Sequence, residues 1–197
     1  MNKLLGLIGL AAILASCGSS GVAPDGSASI RITNLKTEYK TGQGEYVACD
    51  NVKQLDGTYA SQTAVATYFT LVGGIKDLTV QLKGSTTSAY DNNYVKTISA
   101  SELAALNTND YRLTFYADSS APGESGFLPQ GIVVKPIATK VKLVTVNQAD
   151  RVGSFYTFVT VNTSTGRNVK ADTSGIVIPR VGTYTTCNIQ GDTTETL

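Results

Sequence analysis

Apolar and polar residues alternate with a period of two over most of the chain after residue 28. In the segment 78–84, Leu78, Val80 and Leu82 occupy alternate positions, and threonine, glutamine and lysine lie at 79, 81 and 83. The segment 111–117 repeats the alternation with aromatic residues. Because successive side chains of a β-strand point to opposite faces, this period predicts half-buried strands. Further strands are predicted from β-branched and aromatic enrichment at residues 29–35, 45–52, 63–72, 93–99, 131–138, 140–147, 155–163, 174–179 and 183–189.

These candidate strands, with Gly, Asn, Asp and Ser between them, predict an all-β fold built as an antiparallel β-sandwich. The strands within residues 29–138 suffice for one sandwich of ordinary size. Residues 139–197 supply four more, which are few for an independent core. We expect this segment to form a smaller C-terminal β subdomain docked on the first, or to extend its sheets.

One segment departs from the strand pattern. Ser99 and Glu102 have the spacing of a helix capping box, and the leucines and alanines at 103–106 favour helix. Polar residues at 107–110 end the stretch after one or two turns. We therefore predict a short helix between two strands.

A short helical turn in this position resembles the corner between the E and F strands of immunoglobulin-like and fibronectin-type domains. The resemblance covers about residues 93–119 and implies an immunoglobulin-like β-sandwich. The chain departs from the antibody pattern, since it has no tryptophan and no cysteine two residues after Tyr111 or Tyr116. The resemblance therefore implies a looser bacterial type of immunoglobulin-like sandwich.

An apolar block at residues 4–14 follows Lys3 at the start of the chain. Crossing a bilayer takes about 20 apolar residues, so the block is short for a transmembrane helix and typical of an export signal. Residues 1–16 are therefore predicted to be a cleaved signal peptide. Residues 17–28 are mostly small and polar, and we expect them to form a flexible tether.

Residues 14–17, Leu-Ala-Ser-Cys, resemble the lipobox of bacterial lipoproteins. The resemblance implies cleavage before Cys17, a diacylglycerol on its sulfur and an acyl chain such as palmitate on its amine. It also implies residence at the outer membrane, because Gly18 occupies the position where an aspartate favours the inner membrane. The alternatives are an ordinary secretory signal and a retained membrane anchor formed by residues 1–16.

The charge of the chain argues against a nucleic-acid partner. It has 16 lysines and arginines against 15 aspartates and glutamates, and Lys3 would leave with the signal peptide. Nucleic-acid phosphates are bound by clustered cationic residues, and a chain without net charge is a poor source of them.

Histidine is absent from the sequence. Its absence removes Ser-His-Asp and Cys-His catalysis in their usual forms, together with metal sites built on imidazole. We therefore predict that the protein is not an enzyme and has no cofactor. A hydrolase that relies on carboxylates alone, such as Asp118 and Glu124 in one polar loop, is the lowest-ranked alternative.

Two cysteines remain after lipidation of Cys17, namely Cys49 and Cys187. An exported protein folds in an oxidising compartment, where an even number of cysteines indicates disulfide formation. We expect a Cys49–Cys187 disulfide, which would tie the end of the chain to its beginning. The alternative is two buried thiols too far apart to react.

One predicted loop concentrates side chains that suit a ligand, because Tyr90 and Tyr94 flank Asp91, Asn92 and Asn93. Aromatic faces beside carboxylate and amide groups suit a sugar ring, and the same oxygens suit part of a calcium shell. The alternative is an ordinary Asp/Asn turn in which the tyrosines cover the end of the sheet.

The preferred function is that of an outer-membrane lipoprotein with a structural or interaction role, as an accessory component of a larger cell-envelope or surface-layer assembly. Its expected partners are the membrane, through the lipid, and envelope or surface-layer proteins. The alternative is an adhesin-like or glycan/calcium-binding module that uses the loop at 90–94.

Overall fold

The computed structural model describes residues 19–84, 95–105, 110–118, 128–133, 139–174 and 178–197. Within these ranges the chain is almost entirely strand, so the prediction of an all-β fold is confirmed. No helix in the same ranges is long and apolar enough to cross a membrane. The elements are β1 (Ser20–Val22), β2 (Ala28–Thr37), β3 (Tyr39–Thr41), β4 (Tyr46–Lys53), β5 (Tyr59–Ala60), β6 (Gln62–Gly73), β7 (Ile75–Gly84), β8 (Val95–Ser99), α1 (Ala100–Ala104), β9 (Asp110–Asp118), β10 (Leu128–Val133), β11 (Lys140–Val146), β12 (Arg151–Thr163), β13 (Asn168–Asp172) and β14 (Val181–Thr196).

The strands form two sheets that pack against each other as a β-sandwich. The first sheet has the order β1-β2-β6-β9-β10, and all of its pairs are antiparallel. The second has the order β5-β4-β3-β11-β14-β12-β7-β8, with β13 also paired to β12. The sandwich arrangement agrees with the sequence prediction.

The main hydrophobic core lies between these sheets. The first sheet contributes Ile30 from β2 and Phe69 from β6, and the second contributes residues of β7, β8, β12 and β13. In β7 the buried side chains are Leu78, Val80 and Leu82. These are the positions that the period of two assigns to the buried face, so tertiary packing follows the local pattern in this strand.

The predicted capping box is present at α1. The Ser99 hydroxyl accepts a hydrogen bond from the Glu102 N–H at 3.3 Å, and the Glu102 carboxylate accepts one from the Ser99 N–H at 2.8 Å. Leu103 is buried in the main core. Because β8 pairs with β7 in the second sheet and β9 pairs with β6 in the first, the segment that contains α1 carries the chain between sheets.

Four strands of the second sheet close into a ring, which we call the four-strand ring (β3, β4, β14 and β11). β3 pairs with β4, β4 with β14, β14 with β11, and β11 returns to β3. The pairs β3–β11 and β4–β14 are parallel, which corrects the expectation of a purely antiparallel arrangement. The long strand β14 takes part in both kinds of pairing: its 16 residues pair antiparallel with β11 and β12 along one edge and parallel with β4 along the other.

The segment 139–197 extends the second sheet. β12 pairs with β7 from Phe155 and Gly84 to Thr163 and Ile75. Residues of β12 and β13 lie in the same core as those of β2 and β6. Of the two arrangements expected for the segment, extension is the one observed, and the boundary at residue 138 divides neither the sheet nor the core.

Strand pairing begins within residues 17–28, the segment predicted to be a flexible tether. Ser20–Val22 pairs with β2, and the Ser19 carbonyl accepts a hydrogen bond from the Ile32 N–H at 2.7 Å. This corrects the tether prediction, because from Ser19 onward the segment is part of the folded body.

Every predicted strand but one overlaps an observed strand. The exception is the segment 174–179, where Ile178 and Pro179 lie outside the strands and residues 175–177 lie outside the described ranges. The sequence prediction also lacks β1, β3, β5 and β13. β1, β3 and β5 are two or three residues long and β13 has five, so a period of two has too few positions to be recognised.

Candidate functional site

Most of the residues singled out in the sequence lie outside the part of the chain that the structure describes. This holds for Cys17, for the loop at 90–94 and for Glu124. Asp118 ends β9, where it pairs with Gln62 of β6. The lipid, glycan, calcium and carboxylate-pair hypotheses therefore stay predictions. Among the described side chains, no group of three or more Cys, Asp or Glu is placed to hold a metal ion.

Cys49 of β4 and Cys187 of β14 form a disulfide, as predicted, with their Cα atoms 5.9 Å apart. Both residues are buried in the core of the four-strand ring, together with Tyr39, Val144 and Tyr184. The bond joins positions 138 residues apart, and closing so long a loop restricts the unfolded chain by up to about 5 kcal/mol in the entropy model. The disulfide therefore has a structural role in closing the ring.

A cluster of charged and aromatic side chains holds the end of β14 against β2, β3 and β4. We call it the clasp (Lys36, Lys40, Tyr46 and Glu195). The ammonium groups of Lys36 and Lys40 lie 2.6 and 2.9 Å from the Glu195 carboxylate, and the Tyr46 hydroxyl donates a hydrogen bond to it. Both ammonium groups also lie over the Tyr46 ring, 5.7 and 5.0 Å from its centroid. Contacts of this kind add cation–π attraction to the ion pairs.

The clasp is built around a carboxylate that stays charged. Partial burial alone would raise the pKa of the Glu195 carboxyl, but hydrogen bonds from Lys36, Tyr46 and Lys40 outweigh that effect and lower its pKa to about 2. Burial and the same contact raise the pKa of the Tyr46 hydroxyl. With neither group titrating near neutral pH, the clasp is unsuited to proton transfer and serves to link strands.

Glu38 lies between β2 and β3, and the pKa of its carboxyl is shifted in the opposite direction to that of Glu195. Burial raises the pKa of its carboxyl, although the hydrogen bond from the Ala64 N–H and the charge of Lys142 act in the other direction. The hydrogen bond is 2.6 Å long and joins the β2–β3 connection to β6. This carboxyl therefore links the ring to the first sheet.

A cleft of about 340 Å³ opens between the β3–β4 turn and the start of β14. This volume is within the range of small-ligand clefts, which is about 300–1,000 Å³. Polar, charged and aromatic side chains from distant parts of the sequence meet there. We call it the arginine cleft, and its principal lining residues are Asn34, Glu45, Tyr46, Arg151, Arg180 and Tyr184.

The two arginines of this cleft have weak contacts within the protein. Arg151 Nε donates a hydrogen bond to the Gly153 carbonyl at 3.4 Å, and Arg180 donates one to the Ser174 carbonyl at 3.3 Å. The Arg180 guanidinium also lies 5.7 Å from the centroid of the Tyr156 ring. Both arginines are exposed, and the ion pairs found among the described side chains involve only Glu195. Gly182 leaves room for Arg151, since a Cβ at that position would lie 3.4 Å from its Nε.

The cleft has the chemistry of an anion site. The charged residues of its lining are two arginines, Arg151 and Arg180, and one acidic residue, Glu45, so the lining has a net positive charge. The planar guanidinium fork binds phosphate and carboxylate groups through paired hydrogen bonds. A neighbouring depression of about 470 Å³ is lined by Val144 and other residues of β11 and the β3–β4 turn, and Glu45 is its only charged lining residue. The positive lining therefore distinguishes the arginine cleft from this neighbouring depression.

Sequence reasoning missed this cleft because its residues are scattered from position 34 to position 184. No local motif connects Arg151 with Arg180. The nearly balanced total charge of the chain also gives no sign that two arginines line the same cleft. The ring brings them together by placing the β3–β4 turn beside the start of β14. Comparisons with protein-family models, with curated proteins and with solved structures find no match for the chain.

Proposed function

We propose that the protein is a lipoprotein anchored through Cys17 in the outer membrane, with an accessory structural or interaction role in a larger cell-envelope or surface-layer assembly. The observation that carries the proposal is the lipobox-like sequence at residues 14–17, placed at the end of a short apolar block. Two or more acyl chains hold a protein stably on a bilayer, since each buried methylene contributes about 0.8 kcal/mol. The lack of histidine supports a role without catalysis.

The contacts of β1 support close attachment to the membrane. Only one residue separates Cys17 from Ser19 in the sequence, so a lipid on Cys17 would be attached next to the first described residue of the folded body. Ser19 is hydrogen-bonded to Ile32, and Gly21 lets β1 approach β13, because a Cβ there would collide with the Lys170 carbonyl. A lipid on Cys17 would therefore hold the sandwich directly at the bilayer surface.

The β4–β5 hairpin supports an interaction role. Leu55 and Tyr59 are 74% and 62% exposed on this hairpin. The turn between them is ordered by the Asp56 carboxylate, which accepts a hydrogen bond from the Thr58 N–H at 2.9 Å, and by Gly57 with a φ of 87°. Tyrosine and other aromatic side chains are enriched at protein interfaces. A fixed hairpin with two exposed apolar side chains suits contact with an envelope protein.

Replacement of the lipidation residue tests the anchor. Cys17→Ala is expected to release the protein from the membrane fraction or to leave it unprocessed. Ser19→Ala is the matched control, because it leaves residues 14–17 intact and keeps the backbone hydrogen bond to Ile32. Mass spectrometry of the mature terminus measures the modification directly. A mature terminus without acyl chains would contradict the proposal.

A photo-crosslinking amino acid at Leu55 or Tyr59 tests the interaction role in intact cells. We expect adducts with a large envelope protein from both positions. Arg167, an exposed residue in the β12–β13 turn, is the control position. Equal adduct yields from Arg167, or the lack of high-mass adducts from both hairpin positions, would count against contact through the hairpin. The glycan- or calcium-binding alternative has only the sequence at 90–94 for support, so it ranks second.

A further inference from the structure

We propose that the arginine cleft binds the phosphate group of an anionic membrane-lipid headgroup. The proposal rests on the lipid anchor proposed above, because the anchor is what would hold the cleft beside a bilayer. It adds to that function a second, non-covalent contact with the membrane.

Charge and exposure make the cleft suitable for phosphate. Arg151 and Arg180 are exposed, and each donates one long hydrogen bond to a backbone carbonyl. The Arg180 guanidinium also lies 5.7 Å from the centroid of the Tyr156 ring, a contact that uses none of its N–H donors. Neither arginine has a carboxylate partner among the side chains that the structure describes. Their guanidinium groups therefore have donors available for an incoming anion. Glu45 is the one acidic residue in the lining and is the group that would weaken anion binding.

The aromatic lining supports a lipid as the source of the phosphate. Tyr46 and Tyr184 are among the lining residues. Tyr184 is 2% exposed, so the partly buried Tyr46 is the tyrosine that a ligand in the cleft can contact. The hydroxyls of the two tyrosines are engaged by Glu195 and Gln148, which fixes the two polar ends within the protein. Tyrosine is enriched at membrane–water interfaces, where its ring contacts the headgroup region. Cationic and aromatic groups in one cleft match the mixed chemistry of a headgroup better than that of a free ion.

The position of the cleft relative to β1 also supports a membrane ligand. Asn34 lines the cleft and lies two residues beyond Ile32 on β2. The Ile32 N–H binds the Ser19 carbonyl, so the cleft wall is close to the point where the chain leads back to Cys17. An anchor at Cys17 would therefore raise the local concentration of headgroups at the cleft.

A titration of the mature full-length protein in a non-ionic detergent tests the proposal. The probe is a short-chain phosphatidylglycerol, with short-chain phosphatidylcholine and inorganic phosphate as separate arms. Binding is followed through the side-chain Nε–H signals of the arginines in nitrogen–proton correlation spectra. We expect saturable shifts of the Arg151 and Arg180 signals with phosphatidylglycerol, and weaker binding of the other two probes.

Variants assign the binding to the cleft. Arg151→Gln and Arg180→Gln are each expected to weaken binding about tenfold, the loss that accompanies one charged hydrogen bond. Glu45→Gln is expected to tighten binding, which distinguishes a site effect from damage to the fold. Arg167→Gln is the matched control, because Arg167 lies beyond the opposite end of β12 from Arg151 and is expected to leave the affinity unchanged.

Three results would overturn the proposal: no saturable shift with phosphatidylglycerol, equal weakening by Arg167→Gln, or binding of inorganic phosphate as tight as that of the lipid. The last result would identify free phosphate as the ligand. The titration uses added lipid, so it does not depend on acylation of Cys17. Failure of the anchor is detected separately, by the mass of the mature terminus, so the two proposals can fail independently.

Discussion

The sandwich and the four-strand ring of this protein are stabilised in different ways. Between the two sheets, the core is an extended layer of aliphatic and aromatic side chains from both faces. Its polar members include Thr67 and Thr157, whose hydroxyls lie 2.9 Å apart and bond to each other. Burial of apolar surface is the dominant favourable contribution to such a layer, at about 25 cal/mol per Å².

The ring encloses a much smaller core. Tyr39, Val144 and Tyr184 pack there with the Cys49–Cys187 disulfide. Outside the ring, the clasp holds the end of β14 by ion pairs and cation–π contacts. Small cores supply little stability by burial alone, and proteins commonly add covalent or polar links to them.

The comparison connects stability with function in this fold. The ring places the β3–β4 turn beside the start of β14 and so forms the arginine cleft. The sandwich holds β1 and hence the chain that leads to Cys17. A destabilising substitution in the ring should therefore alter the structure of the arginine cleft. A destabilising substitution in the core between the sheets should lower the stability of the whole domain.

The largest expected effect is that of Phe69→Ala in the sandwich core. Phe69 is 1% exposed, and replacing a buried phenylalanine by alanine removes its apolar contacts and leaves a cavity. We expect the free energy of unfolding to fall by about 3–5 kcal/mol, both with the disulfide intact and after reduction. Urea unfolding followed by circular dichroism measures the loss. A loss below about 1 kcal/mol would contradict the central role of this layer.

The second effect is removal of the disulfide from the ring. The Cys49→Ala/Cys187→Ala double variant is expected to lose about 2–4 kcal/mol of unfolding free energy. Native-state hydrogen exchange should show faster opening of β3, β4 and β14 than of β2 and β7, because the bond lies in the ring core. An equal increase of the hydrogen-exchange rates in both regions would mean that the disulfide stabilises the protein only by restricting the unfolded chain. If the parent protein has the same gel mobility with and without reductant, the disulfide itself would be contradicted.

The sandwich could be predicted from the sequence to a greater extent than the ring. Strands such as β7 have one buried and one exposed face, so the alternation of Leu78, Val80 and Leu82 with polar residues reports their structure directly. The capping box at Ser99 and Glu102 is equally local, since both partners lie within one helical turn. These signals concern residues that are close in sequence.

Ring closure has no such local signal. β3 has three residues, too few for a recognisable period, and its parallel partner β11 lies about a hundred positions later in the chain. The cysteine count predicted the link between Cys49 and Cys187. An exported protein folds in an oxidising compartment, and an even number of cysteines indicates that they pair. The clasp and the arginine cleft depend on how β14 passes the ring, which requires the tertiary structure.

The smallest effect concerns two carboxyls whose responses to pH have opposite signs. Hydrogen bonds lower the pKa of Glu195 to about 2 from its ordinary value of 4.5. The fold therefore favours its ionised form, and its stabilising contribution is present above pH 4.5 and is lost as the pH falls toward 2. Burial raises the pKa of Glu38, so the fold favours its protonated form. Its contribution is present below its ordinary pKa and is lost as the pH rises through the folded pKa.

Glutamine variants separate these two groups. Glu195→Gln is expected to lose up to about 1 kcal/mol at neutral pH, since the clasp is partly exposed, and to weaken the acid dependence of unfolding. Glu38→Gln keeps an oxygen that can accept the Ala64 hydrogen bond and removes a buried charge. It should be neutral or stabilising at neutral pH and should lose that advantage in acid. Urea unfolding at neutral and acid pH measures both. Identical acid dependence in Glu195→Gln and the parent protein would show that the ion pairs of the clasp do not support the ring, and the disulfide would then be its principal link.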